Sequence, residues 1–425
     1  MYLKVSKSET GGKVRIPGSK SHTIRALFLA SLADGKSEII NPLISDDAIS
    51  AANTCKALGA EIRYQNDRYV VEGLGGIPKV PEDIINVGNS GTTLRLASAV
   101  AALTEGCTVF TGDEQIRRRP MSSLLCALND LGAEAFSTRG NGSAPIVVRG
   151  KMQGGKTSLD AITSQYLSAL LISTPLTEKD TKIEITRLNE VPYVDITLWW
   201  LDRLNIRYEN DSYRFFNIPG GQKYKSFNAA IPGDFSSATF FMVLAAISGG
   251  EFILENLDMS DPQGDKQVLG ILESMGAKVK IDEKTITVKG ERLVGREIDM
   301  NSIPDALPAM AVAGCFAEGE TRLVNVPQAR LKETDRIHVM CGELSKLGAD
   351  VEELPDGIAI RQSKLKGCHV NGHGDHRIVM ALAIAGLNIE GETIIDTAEA
   401  VNVTFPEFVD IIKACNGDIE FISQI

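Results

Sequence analysis

The sequence predicts an α/β (α+β) fold assembled from repeated β-α-β-α-β-β units, and three observations predict it. A short motif, an apolar residue followed by Gly-Ala and a charged residue, recurs as LGAEI at Leu58, LGAEA at Leu131, MGAKV at Met275 and LGADV at Leu347, with degenerate copies LNIRY at Leu204 and NGDIEF at Asn416. Successive copies lie about 70 residues apart, so the 425-residue chain reads as six units end to end. Between copies, stretches apolar on every side alternate with short β-rich runs, the pattern of mixed sheets packed on buried helices.

Each element of a unit has its own signal. The first helix (RALFLASLA, RLASAVAAL, YLSALLIST, FFMVLAAIS, AMAVAGCFA, IVMALAIAGL) has no polar face and must be buried. A strand follows, as in SEIINP, CTVFTGD, TKIEITRL, EFILENL, ETRLVNV and ETIIDT. An amphipathic helix then runs to the Gly-Ala motif, where glycine supplies a C-cap, and a hairpin such as AEIRYQNDRYVVEG closes the unit.

Composition narrows the function classes. A 43% apolar content is that of a globular protein, the N-terminal MYLKVSKSETGG lacks the apolar core of a signal peptide, and no charge-free apolar run is long enough to span a bilayer. A cytoplasmic protein without membrane contact is expected. The net charge of −11 argues against nucleic-acid binding, which needs a basic face. Seven scattered cysteines without a C-x-x-C pair read as reduced core residues.

The segments leading into the six apolar helices carry the functional signal: PGSKS (Pro17 to Ser21), GNSGTT (Gly88 to Thr93), TSQ (Thr163 to Gln165), GDFSS (Gly233 to Ser237), PDA (Pro304 to Ala306) and GDHR (Gly374 to Arg377). Their Ser, Thr, Asn and Asp residues are N-cap types, and converging helix N-termini make an anion site. Lys20, Arg25, Arg95 and Arg377 add cations to it. QIRRRPM places Arg117, Arg118 and Arg119 before a proline. In ARLKETDRIH a helix starting within KETDR would put Lys332 and Arg336 on one face with Glu333 beside them, a cation pair with an acid/base carboxylate.

PGSKSxxxR, GNSGTTxR, RRRPM, SQYLSALL, PYVDITL, GDFSSA, QGD, IPDA, RLKETDR, GDHR and TFPEF, in this order and spacing, resemble the 5-enolpyruvylshikimate-3-phosphate synthase family over essentially the whole chain. The resemblance implies a two-domain inside-out α/β barrel with three units per domain: residues 1–18 plus 233–425 as one domain, 19–232 as the other, and the active site in the interdomain cleft. It implies transfer of the enolpyruvyl group of phosphoenolpyruvate to the 5-hydroxyl of shikimate 3-phosphate, through a tetrahedral intermediate that expels phosphate, on the route to aromatic amino acids. No metal or organic cofactor is implied, and a monomer is expected. By the same resemblance, Asp305 takes the hydroxyl proton, Glu333 protonates the enol methylene and Lys20 lies between the reactants. Ser21, Arg25, Thr163, Ser164, Gln165, Gln328 and Lys332, with Lys20 and Asp305, hold shikimate 3-phosphate. Asn89, Gly91, Arg119, Arg336 and Arg377, with Lys20 and Gln165, hold phosphoenolpyruvate. Two positions depart from the family pattern: Glu190 stands where a phosphate-binding serine is usual, and Val403 where a phosphoenolpyruvate-binding lysine is usual.

The alternative is the UDP-N-acetylglucosamine enolpyruvyl transferase family, which shares fold and enol substrate. It typically carries Lys-Asn at the first helix and a cysteine in the loop before Arg-Pro, whereas this chain has Lys20-Ser21 and the cysteine-free TGDEQIRRRP. A nucleic-acid clamp of repeated α/β units would need basic helices, and these are apolar. His369, His373 and His376 in CHVNGHGDH match no standard zinc spacing and read as a polar loop entering a helix.

Overall fold

The computed structural model describes residues 1–423. The chain forms two compact units, Met1–Ser19 with Pro232–Ile425 and Lys20–Ile231, each with its own apolar core.

Each unit holds three four-stranded sheets of one design. In the sheet built on Ile85–Asn86, the next strand, Cys107–Thr111, runs parallel to it, Ile146–Arg149 pairs antiparallel with that strand, and Glu134–Ser137 lies at the edge. The crossover between the parallel strands is a buried helix, Gly91–Ala101, as a parallel connection requires. Ser164–Ser173, Leu307–Phe316 and His376–Gly386 cross over in the same way, and Lys20–Leu32 and Phe235–Ser248 are equivalent buried helices whose flanking strands lie in different sheets. Nearly every residue of these helices is buried, so their lack of a polar face is a consequence of being enclosed by sheets. The amphipathic helices Asp46–Ala57, Ser122–Asp130, Val191–Arg203, Gln267–Met275, Arg336–Lys346 and Phe408–Ala414 bury one face each.

The repeated motif has a single backbone cause. Gly59, Gly132, Gly276 and Gly348 lie just past helix ends at φ of 105°, 104°, 122° and 97°, and the degenerate copies place Asn205 and Asn416 at 56° and 66°. All six positions need positive φ, which glycine tolerates freely and asparagine better than most.

The six units are not end to end, and this corrects the sequence reading. Gly12–Arg15, directly before the Lys20 helix, pairs in parallel with Glu251–Glu255, while Asn228–Ala230, directly before the Phe235 helix, pairs with Lys36–Ile40. The two crossing segments have thus exchanged strands. Tyr2–Ser6 lies between Glu392–Asp396 and Asp418–Ile422 and completes the last sheet. The crossings are tied by a Gly18–Gly233 bridge, with Ser19 N donating to Pro232 O at 2.8 Å and Asp234 N to Pro17 O at 2.9 Å. A β-carbon on Gly233 would stand 2.0 Å from Asn256 O, so only glycine fits there. The cysteines are all free, but Cys107 and Cys126 are exposed and Cys368 is half-buried, so the expectation of core cysteines holds for Cys55, Cys315, Cys341 and Cys415 and fails for these three.

Candidate active site

Of the six helix starts, four are closed by the expected caps. Ser90 accepts from Thr93 N, Thr163 from Gln165 N, Asp234 from Ser236 N and Asp375 from Arg377 N. Pro304–Ala306 forms a 3-10 turn into its helix, and Asp305 is used elsewhere.

In the unit Lys20–Ile231, Arg25 is the central cation. It lies one turn into its helix and is 2% exposed. Its Nε donates to Thr197 Oγ1 at 2.8 Å, Nη1 to Ser21 O at 3.0 Å, and Nη2 to Tyr193 O at 2.9 Å and Ser168 Oγ at 3.3 Å. Every one of these acceptors is neutral, and burial pushes the guanidinium down to about 10. A buried charge held only by dipoles is strongly stabilised by any anion that reaches it. Lys20, the first residue of the same helix, has Nζ 3.3 Å from Asp47 Oδ2.

Gly91 opens the second buried helix beneath two arginines. A β-carbon there would lie 2.4 Å from Arg95 Nη1 and 2.6 Å from Arg119 Nη1, so the missing side chain leaves room for those guanidinium groups. Arg119 Nη2 donates to Asn89 Oδ1 at 3.4 Å, and Asn89 Nδ2 donates to Gln115 Oε1 at 2.8 Å. Arg95 Nη2 and the Tyr166 hydroxyl both donate to Pro120 O, linking the first turns of two buried helices. Arg118 points outward and pairs with Glu114.

At the third helix start, Thr163 and Ser164 meet Glu190. Its Oε2 accepts from Ser164 Oγ at 2.9 Å, Ser164 N at 3.2 Å and Thr163 Oγ1 at 3.2 Å. Gln165 Oε1 is buried and accepts no hydrogen bond among the described residues.

The other unit gathers opposite charges. Arg336, 1% exposed, is bound by three carboxylates: Nη1 donates to Asp305 Oδ1 at 2.8 Å, Nη2 to Glu333 Oε2 at 2.5 Å, and Nε to Asp375 Oδ2 at 2.8 Å. Burial alone would lower its pKa, but Asp375, Glu333 and Asp305 outweigh burial and raise it. Arg377 Nη2 lies 3.1 Å from Asp305 Oδ2, and Lys332 Nζ 3.9 Å from Asp305 Oδ1. Gln328 is buried, with Nε2 donating to Asn301 O at 3.0 Å.

One geometric expectation fails here. The helix starts at Arg336, capped by Asp335, so Lys332 precedes it and the two cations do not share a helix face. They meet because both turn toward Asp305. Asp335 ends the possibility of an earlier helix start, since its side chain accepts from His338 N and fixes the cap.

Sequence reasoning missed three contributors. Asp375 reads as a cap, yet it is fully buried and also binds Arg336; the signal was an aspartate beside a buried arginine in GDHR. Asp47 pairs with Lys20 from a separate helix and left no local signal. Glu343, 3% exposed, accepts from Asn371 N at 2.9 Å and contacts His373 Nε2 at 2.8 Å, which anchors the loop leading to Asp375.

Comparison with known proteins agrees across the chain. A profile described as EPSP synthase (3-phosphoshikimate 1-carboxyvinyltransferase) matches residues 6–412. A protein of Acetivibrio thermocellus named 3-phosphoshikimate 1-carboxyvinyltransferase is 69% identical over 419 residues, covering 99% of each chain. One of the same name from Methanocaldococcus jannaschii is 43% identical over 430 residues, covering 99% of this chain and 100% of its own. The solved structure of an EPSP synthase from Acinetobacter baumannii superposes with a TM-score of 0.82 at 28% identity, covering 99% of both chains.

Proposed function

The chain belongs to the EPSP synthase family, and from that premise we propose that it transfers the enolpyruvyl group of phosphoenolpyruvate to the 5-hydroxyl of shikimate 3-phosphate, releasing phosphate. The observation that carries the reading is the pair Asp305 and Glu333, held on adjacent nitrogens of one buried guanidinium. Addition needs a base for the hydroxyl proton and an acid for the enol methylene, and elimination needs the methyl proton removed again as the carbon–oxygen bond to phosphate breaks. Asp305 is the base and Glu333 the acid in this reading, with Arg336 fixing their separation.

Arg25 and Ser21 take the carboxylate of shikimate 3-phosphate, and Thr163, Ser164 and Gln165 its phosphate and ring, with Gln328 and Lys332 on the ring hydroxyls. Asn89, Gly91, Arg119, Gln165, Arg336 and Arg377 hold phosphoenolpyruvate, and Lys20 lies between the reacting groups. Arginine suits these sites because its planar fork binds carboxylate or phosphate with two parallel hydrogen bonds. These residues are divided between the two units, so the reading requires both to contribute to one site and to close over the ligands.

The test is incubation with phosphoenolpyruvate and shikimate 3-phosphate without added metal, following phosphate release and product mass. Turnover of UDP-N-acetylglucosamine in place of shikimate 3-phosphate would overturn the reading.

A further inference from the structure

We propose that Glu190 is a specificity-determining residue, an internal anion that occupies the N-terminus of the Ser164–Ser173 helix and lowers its affinity for every phosphate. The inference rests on the reading above, which assigns that helix start to the phosphate of shikimate 3-phosphate.

Three donors, Ser164 N, Ser164 Oγ and Thr163 Oγ1, converge on the single oxygen Oε2 of Glu190. A free N–H and flanking hydroxyls at a helix start are the donor set a phosphate oxygen takes. The side chain is 2% exposed, and the residue has φ +60°, a left-handed conformation that costs a residue with a side chain free energy. It also precedes the Val191–Arg203 helix, whose first turn supplies Tyr193 O to Arg25. The carboxylate is therefore delivered by a fixed backbone.

A tethered carboxylate competes at high effective concentration, and two anions cannot share the same donors in a buried site without mutual repulsion. Any phosphate must displace Glu190 from its donors. Inorganic phosphate bound at this helix start has only this one set of contacts to offer. Shikimate 3-phosphate also brings a carboxylate to Arg25 and a ring to further partners. Glu190 thus penalises both, but leaves only the ligand with further anchors well bound, and keeps free phosphate out.

The test measures inorganic phosphate binding to the full chain by calorimetry, in the parent and in Glu190→Gln and Glu190→Ser. Removing the internal charge should tighten phosphate binding about ten- to a hundredfold in both variants, the scale of one charge-assisted hydrogen bond. Adding Ser164→Ala to Glu190→Gln should abolish most of that gain. Phosphate binding unchanged or weaker in both single variants, with native circular dichroism, overturns the proposal, and so does a gain that persists with Ser164→Ala. The phosphate measurement needs no turnover, so a parent enzyme inactive on shikimate 3-phosphate would count against the functional reading alone.

Discussion

Two arginines are among the most deeply buried side chains of the molecule, and they are opposites. Arg336 sits on Asp305, Glu333 and Asp375, and those carboxylates raise its pKa. Arg25 has only hydroxyl and carbonyl oxygens among the described residues, and burial lowers its pKa to about 10. Equal burial therefore does not mean equal work. Arg336 already has three carboxylates on its guanidinium, whereas Arg25 meets no carboxylate among the described residues.

The largest expected effect breaks the first half of that contrast. Arg336→Met removes the one cation that Asp305, Glu333 and Asp375 share, and removing one partner of a buried ion network costs roughly 3–5 kcal/mol. Urea unfolding should show a loss of that size; a loss below about 1 kcal/mol would mean that the carboxylates have other support.

Arg25→Met tests the second half. It deletes a charge with no anionic partner among the described residues, so stability should fall by clearly less than in Arg336→Met. The Michaelis constant for shikimate 3-phosphate should rise at least about a hundredfold, the weight of a buried charge-assisted contact. An equal rise for phosphoenolpyruvate would place Arg25 on the wrong ligand.

Glu333→Gln keeps the shape beside Arg336 but not the proton. Turnover should fall at least about a hundredfold with the fold intact, within the range for losing a general acid. Near-normal turnover would remove Glu333 from proton delivery.

How far this contrast could be read from sequence differs along the chain. The capping glycines and the serine, threonine and aspartate caps are legible because one residue's backbone or side chain decides them, and even Asn205 and Asn416 keep the signal. The exchange of Gly12–Arg15 with Asn228–Ala230 is invisible, since either strand has the composition to pair with either sheet. Arg25 and Arg336 look alike as letters: their difference lies in Ser168 and Thr197 for one and Asp305 and Asp375 for the other, all brought from distant elements. Glu190 reads as a departure in sequence, but that its carboxylate reaches Ser164 follows only from its left-handed backbone.

A smaller effect concerns His376, buried against the Arg336 cluster, whose pKa burial lowers from 6.5 to about 3. Below pH about 6.5 the unfolded chain takes up a proton that the folded chain refuses. This contribution is whole above that pH and is lost as pH falls toward 3, by up to about 1.4 kcal/mol per pH unit. The stability of His376→Asn should fall less steeply than the parent's between pH 6.5 and 5; parallel curves would show that the ring is protonated in the fold.

The placing of Tyr2–Ser6 between Glu392–Asp396 and Asp418–Ile422 sets an order on synthesis. The ribosome delivers this strand long before either of its neighbours, so it must wait, unpaired, while the residues between them are made. Lys20–Ile231 has all its sheet partners once Ile231 has emerged, because Asn228–Ala230 closes its first sheet. The remaining unit lacks a strand until Asp418–Ile422 has emerged, and meanwhile Tyr2–Ser6 is exposed to a chaperone or to another nascent chain.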